Sequence, residues 1–271
     1  MAELDIPTIP NLQSLIMMAI TAFSVSIIVI LLFIKYFQRK RLPALTLAFT
    51  FLMWDFASLI VFIFGLIHYL NYSTPQVGVI QYARYGINLG YAFSALSNAL
   101  MVLFVSQIYS QAPIFRKTKK IIPIVNGLLN GVTIGFVVDS IMQSFVFTDV
   151  VSYLNPAYSL NQIIYHLVLT FFSFTLLLSL SARQRRKATF RWEKAGFSFI
   201  VYSAIAGILV YVFLALDELA QTFIPLFNEG YTIFNIIGWA FGILLCILAY
   251  FGYVMPKWLR DRYKEKTLEV K

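Results

Sequence analysis

Read only as hydrophobic against polar positions, the chain divides into seven long apolar runs, near 12–37, 44–70, 77–110, 119–146, 158–182, 193–217 and 230–255. A helix crosses the hydrocarbon of a bilayer with about 20 mostly apolar residues, and each run reaches that length. The pattern therefore predicts an all-α, integral membrane bundle of seven transmembrane helices, a single domain spanning residues 1–271. Little is left for loops, and no long linker, low-complexity tract or repeat interrupts the series. The opening residues "MAELDIPTIPN" are acidic and lack the basic segment of a cleavable signal, so the first run is expected to stay as a helix. Pro10 and Asn11 suit the approach to its first turn.

Composition agrees with lipid as the main solvent. The chain is 60% hydrophobic and 12% charged, against roughly 45–50% and about 25% in soluble domains. Its net charge of +9 would suggest nucleic acid in a soluble protein, but the distribution of the charge points elsewhere. Lys35, Arg39, Lys40 and Arg41 surround the first connection, and Arg116, Lys117, Lys119 and Lys120 the third. The fifth, "RQRRKATFRWEK", holds six basic residues and the segment after Val254 another six, so 20 of the 21 lie on one side. Glu3, Asp5, Asp149, Asp217, Glu218 and Glu229 lie on the other, with Arg84 as the basic exception. Because Lys and Arg in short loops mark the cytoplasmic side, the N-terminus is expected outside and the C-terminus in the cytosol, with the chain in the plasma membrane. The basic face is expected to meet anionic lipids, and a cytosolic partner could dock there too. Cys246 is the single cysteine, which excludes an intrachain disulfide and thiolate metal clusters.

Seven spans in this orientation invite comparison with known receptor classes. The last run, "YTIFNIIGWAFGILLCILAYFGYVM", contains no lysine, so a retinal Schiff base is not expected. The third ends "LFVSQIYSQ" instead of the acidic-arginine-aromatic triplet of rhodopsin-like receptors, and the seventh lacks their Asn-Pro pair. The closing stretch carries a different likeness. Tyr250, Gly252 and Tyr253, followed by Pro256, Trp258, Leu259 and Arg260, resemble the exit of the seven-helix input region of prokaryotic sensor histidine kinases. In that family the phrase leads from the last helix towards cytosolic signalling domains. No kinase, cyclase or PAS-like region follows Arg260 here, so output is expected through a separate chain. The same residues also suit membrane-interface chemistry, with tryptophan at the headgroups, arginine snorkelling and proline stopping the helix.

Polar groups inside the apolar runs are the candidate functional residues, because burying an ionisable group in hydrocarbon is costly unless it is paired or wetted. At about 1.5 Å per residue, Asp55 lies roughly 17 Å from the cytosolic end of the second helix, with Asn98 and Asn130 at roughly 18 and 15 Å on the third and fourth. These three are expected to meet in a middle layer, either as interhelical glue or as an ion, proton or switch site. An outer layer holds Arg84, Asp139 and His166, with Asp217 and Glu218 at the end of the sixth helix, among Tyr82, Tyr85, Tyr91, Tyr158, Tyr165 and Tyr231. It reads either as an ion pair pinning helix ends or as the border of a pocket for a polar or anionic ligand, with Arg84 as the recognising cation. His68, beside Tyr69 and Tyr72, reads as interfacial.

Small residues recur at steps of four. Gly86, Gly90, Ser94 and Asn98 mark the third helix and Gly127, Gly131 and Gly135 the fourth, which predicts that these two helices are close neighbours. Homodimerisation through the fourth-helix stripe is the alternative. "GWAFG", Gly238 to Gly242, adds a notch on the seventh. "NYS" at Asn71 is a glycosylation sequon. No zinc-protease, nucleophile-elbow, phosphate-loop or metal-ligand spacing occurs, so neither enzymatic activity nor a cofactor is expected. The sequence reading is therefore a receptor-like sensor of a small ligand or membrane signal. A small-solute or ion transporter, or a lipid-handling protein, is the alternative.

Overall fold

The computed structural model describes residues 11–72, 82–144, 160–224 and 231–263. Of these, 91% are helical and none form strands. Seven helices are long and apolar enough to cross a membrane: α1 (Leu12–Arg39), α2 (Leu42–Tyr72), α3 (Tyr82–Ile108), α4 (Ile121–Ser144), α5 (Leu160–Lys187), α6 (Arg191–Phe223) and α7 (Ile233–Val254). A single turn at Pro113–Arg116 and a short helix, α8 (Lys257–Tyr263), complete the described set. The apolar runs thus mark each long helix to within a few residues, except that α5 and α6 continue past their expected ends at 182 and 217. In α5 the extra turn carries Arg185, Arg186 and Lys187, basic side chains that suit a helix C-terminus. In α6 the extension places Asp217 and Glu218 inside the helix instead of at its end.

Local chemistry sets the ends. Asn11 caps α1, its Oδ1 accepting from Ser14 N–H at 2.8 Å while its Nδ2 donates to Tyr231 O at 2.6 Å. That second bond ties the start of α1 to the approach of α7. Thr232 caps α7 by accepting from Phe234 N–H at 3.2 Å. At the other end of α7, Met255 adopts a left-handed conformation (φ 44°), and Pro256 prevents the helix from continuing. The exit phrase therefore turns the chain into α8, where Leu259 is buried, Trp258 packs on Phe251 at 5.8 Å and Tyr263 on Phe199 at 6.5 Å.

Each long helix packs on its neighbours in sequence, and α7 returns to α1, which closes a ring; α3 also reaches α5. Side-chain contacts fix the register. Leu15 meets Gly65, Ser26 meets Asp55 and Phe33 meets Phe49, so α1 and α2 are antiparallel. Ser94 with His166, Asn98 with Thr170 and Tyr109 with Ser181 run in step, so α3 and α5 are parallel. The core between them holds Val25, Phe51, Val102, Phe174, Ala204 and Leu245. Outward, Ile16, Ile20, Phe23, Ile27 and Ile30 of α1 and Leu128, Val132 and Met142 of α4 are exposed at helical spacing. Apolar bands of that extent require lipid, not water, as their solvent.

The glycine stripes pack differently from expectation. A Cβ on Gly86 would stand 2.7 Å from Phe64 Cβ and one on Gly90 2.7 Å from Val61 Cγ2. The small face of α3 therefore admits α2, not α4. Helices α3 and α4 are neighbours as expected, but through polar groups: Asn126 Nδ2 donates to Asn98 O at 3.4 Å, and Tyr85 lies 3.5 Å from Ser144 Oγ. Gly127, Gly131 and Gly135 face open space on the outside of the ring.

Candidate functional site

A cavity of about 120 Å³ lies inside the ring, at the end where α1 and α7 begin. Helices α2, α3, α5, α6 and α7 supply most of its wall, with Met18 of α1 closing one side. Five aromatic side chains, Trp54, Tyr91, Tyr211, Tyr231 and Trp239, form its sides. Their placement follows from small residues in the helices. A Cβ on Gly242 would stand 2.5 Å from Trp54 Cη2, so this glycine makes room for the indole; Trp54 and Trp239 then pack with ring centroids 6.4 Å apart. The "GWAFG" notch is thus used, Gly242 for Trp54 and Gly238 against Leu214 and Val210.

A row of hydrogen-bonded side chains crosses the cavity wall. Tyr211 Oη lies 2.6 Å from Ser94 Oγ, which lies 3.0 Å from His166 Nε2. Tyr211, Ser94 and His166 are thus joined in one hydrogen-bonded row, in which either hydroxyl can donate and the role of His166 Nε2 follows from its tautomer. Tyr91 packs edge-on against the imidazole at 5.0 Å. Below it, Asn98 Nδ2 donates to Thr170 Oγ1 at 2.7 Å and Thr170 donates to His166 O at 2.8 Å.

The opposite wall centres on Asp217. Its Oδ1 accepts from Thr232 N–H at 2.7 Å, and its Oδ2 accepts from Gln221 Nε2 at 2.9 Å and Asn235 Nδ2 at 3.1 Å. Three N–H donors thus converge on its two oxygens, where the start of α7 presents its positive end. Burial, and then the charges of Asp217 and Glu218, push the Tyr231 hydroxyl above the ordinary phenol range. Both amides direct their NH₂ groups to the carboxylate, so their carbonyl oxygens are left over. Among the described residues Gln221 Oε1 and Asn235 Oδ1 have no partner, nor do Trp239 Nε1 and His166 Nδ1, although all four are buried and their residues line the cavity. An unmet buried polar atom costs about 1–3 kcal/mol, so four in one small space mark a place built to receive a polar molecule or water.

Of the residues singled out from the sequence, His166, Asp217 and Glu218 line the cavity. Arg84 does not. It is buried near the start of α3. Asp139 turns to the exposed side of α4, where Gln143 Nε2 donates to it at 2.7 Å. The cavity therefore does not include Arg84 or Asp139; among the described residues its lining has two carboxylates and no lysine or arginine. Its volume is also below the roughly 300 Å³ at the low end of drug-sized sites. Tyr91 and Tyr231 join the wall, whereas Tyr165 donates to Leu129 O at 2.9 Å. Tyr158, Glu3, Asp5, Asp149 and Glu229 lie outside the described residues.

The middle layer is corrected as well. Asp55 does not meet the asparagines; Ser26 Oγ of α1 lies 3.1 and 2.9 Å from its two carboxylate oxygens. Asn98 serves Thr170, and Asn130 Nδ2 donates to Asn126 O at 2.9 Å. Equal depth put the three in one plane, but Asp55 turns to α1, whereas Asn98 and Asn130 are linked through Asn126 where α3 meets α4. Sequence reading missed Gln221, Asn235 and Trp239, and a signal for them existed. Asp217 with Gln221, and Asn235 with Trp239, are each four apart, which puts each pair on one helix face.

The fold and the cavity define a seven-helix bundle with an aromatic, acidic internal chamber. No protein-family model, curated protein or solved structure matches the chain. The likeness of residues 250–260 to sensor-kinase input regions accordingly rests on those residues alone.

Proposed function

We propose that the chain is a receptor-like sensor of the plasma membrane. In this reading its N-terminus is outside, its C-terminus is cytosolic, and a small molecule entering the cavity alters a face read by a separate cytosolic protein. Orientation rests on the sequence, in which 20 of the 21 basic residues fall around the first, third and fifth connections and after Val254, since positive loops stay in the cytosol. The observation that carries ligand binding is the set of four unpartnered buried polar atoms around one cavity. At about 120 Å³ the space suits a molecule smaller than benzene, which fills an engineered cavity of about 150 Å³. At the other end, Arg185, Arg186, Arg191 and Lys194 line a cleft of about 760 Å³ beside Tyr263 of α8. Anionic headgroups of the inner leaflet are its natural counter-ions, and a cytosolic partner would engage the same face.

The test uses detergent-purified protein and thermal unfolding against a panel of compounds of about four to eight heavy atoms. Stabilising compounds are expected to lose their effect in Ala215→Leu, which fills the cavity from α6. Failure of the whole panel to stabilise the wild type, or equal stabilisation of the filled variant, would remove the ligand-binding reading.

A further inference from the structure

The chemistry of the cavity wall narrows what it receives. Its polar groups fall into two sets. One set is rich in acceptors: the Asp217 and Glu218 carboxylates and the carbonyl oxygens of Gln221 and Asn235. The orientation of those two amides is settled by their bonds to Asp217 Oδ2 at 2.9 and 3.1 Å, because a carboxylate accepts only from the NH₂ side. The carbonyls are thus held in place as unmet acceptors, and Gln221 and Asn235 are only 1% and 5% exposed. The second set is the Trp239 indole N–H, which can only donate, together with His166 Nδ1; neither has a partner among the described residues. Aromatic rings fill the space between. Among the described residues no lysine or arginine lines the wall, and Asp217 brings a carboxylate to it.

We propose that the cavity binds a compact protonated primary amine carrying a hydroxyl or ether oxygen, a molecule the size of ethanolamine. This rests on the reading of the cavity as a ligand site. The ammonium group supplies up to three N–H donors to Gln221 Oε1, Asn235 Oδ1 and the carboxylate side. Its charge is complemented by Asp217, and ring faces are favourable neighbours for a cation. The ligand oxygen accepts from the Trp239 indole N–H. A carboxylate ligand would bring like charge towards Asp217, and a neutral diol would bring fewer donors to the two carbonyl oxygens and no charge to complement Asp217. Discrimination comes from pairing buried groups that are otherwise unpaired, the arrangement that gives polar sites their largest selectivity.

The experiment compares thermal unfolding of the purified protein with ethanolamine hydrochloride, ethylene glycol, glycine and tetramethylammonium chloride at equal millimolar concentration, neutral pH and matched ionic strength. Ethanolamine is expected to raise the melting temperature by several degrees. Ethylene glycol and glycine should give little or none of that shift, and tetramethylammonium, which has charge but no N–H, less than half of it. The shift should vanish in Ala215→Leu and shrink in Gln221→Met, which removes the acceptor at nearly constant shape. Equal stabilisation by ethylene glycol would overturn the charge assignment while leaving the cavity as a small-molecule site. A larger effect of glycine would overturn the hydroxyl end, and a larger effect of tetramethylammonium the amide-carbonyl contacts. An ethanolamine shift that persists in Ala215→Leu would overturn the site itself. No shift with ethanolamine overturns the amine class, and the cavity reading then stands or falls with the broader panel.

Discussion

Asp217 accepts from three donors whereas Asp55 accepts only from Ser26, and this difference sets what each position tolerates. Asp217→Ala would strand Thr232 N–H and two amides in a buried space, at a cost on the order of 3 kcal/mol, read from the unfolding midpoint. Asp55→Asn keeps an acceptor for Ser26 and is expected to stay within about 1 kcal/mol of wild type. Because Asp55 and Asn98 share no partner, Asp55→Leu and Asn98→Leu should be additive to within about 0.5 kcal/mol in a double-mutant cycle. Coupling well beyond that would restore the single middle layer that the ring separates. Both aspartates stood out in the sequence as ionisable groups inside apolar runs. Their partners did not, because hydroxyls and amides are frequent on every helix and only the rotation of each helix decides which of them face one another.

The two glycine stripes look alike in sequence and behave oppositely as elements of packing. Gly86→Ala places a methyl group 2.7 Å from Phe64 Cβ and forces α3 away from α2, so the melting temperature should fall by the equivalent of about 1–3 kcal/mol. Gly131→Ala meets nothing within 4 Å and should raise stability by up to about 1 kcal/mol through helix propensity. A fall at Gly131 instead would reveal a second copy seated on α4. Helix existence and length were legible because lipid demands unbroken apolar runs, whereas neighbour identity was not, since steps of four mark a face without naming what covers it. The turn of chain into α8 was likewise unread. Pro256 announced the end of α7, but the burial of Leu259 depends on where α6 stands.

For the whole molecule the first test is sidedness. In a Cys246→Ala background, Thr189→Cys between α5 and α6 should resist a membrane-impermeant thiol reagent on intact cells, and Ser73→Cys, outside the described residues, should react. The reverse pattern would invert the proposed receptor. Seven-helix architecture and charge segregation were readable at this scale because both are summed over many residues. The cavity was not, since it depends on a few side chains from six helices meeting at one depth. One feature of the bundle bears on how a signal could leave that cavity. Helices α6 and α7 are pinned at both ends: Gly238 sits against Leu214 beside the cavity, and far below it a Cβ on Gly252 would stand only 2.9 Å from the Ile200 amide and 3.0 Å from Gly196 O. Two rods fastened at both ends cannot bend independently, so under the proposed sensor reading a load applied beside the cavity would pass as a tilt of the pair to the far end, where Tyr263 leans on Phe199.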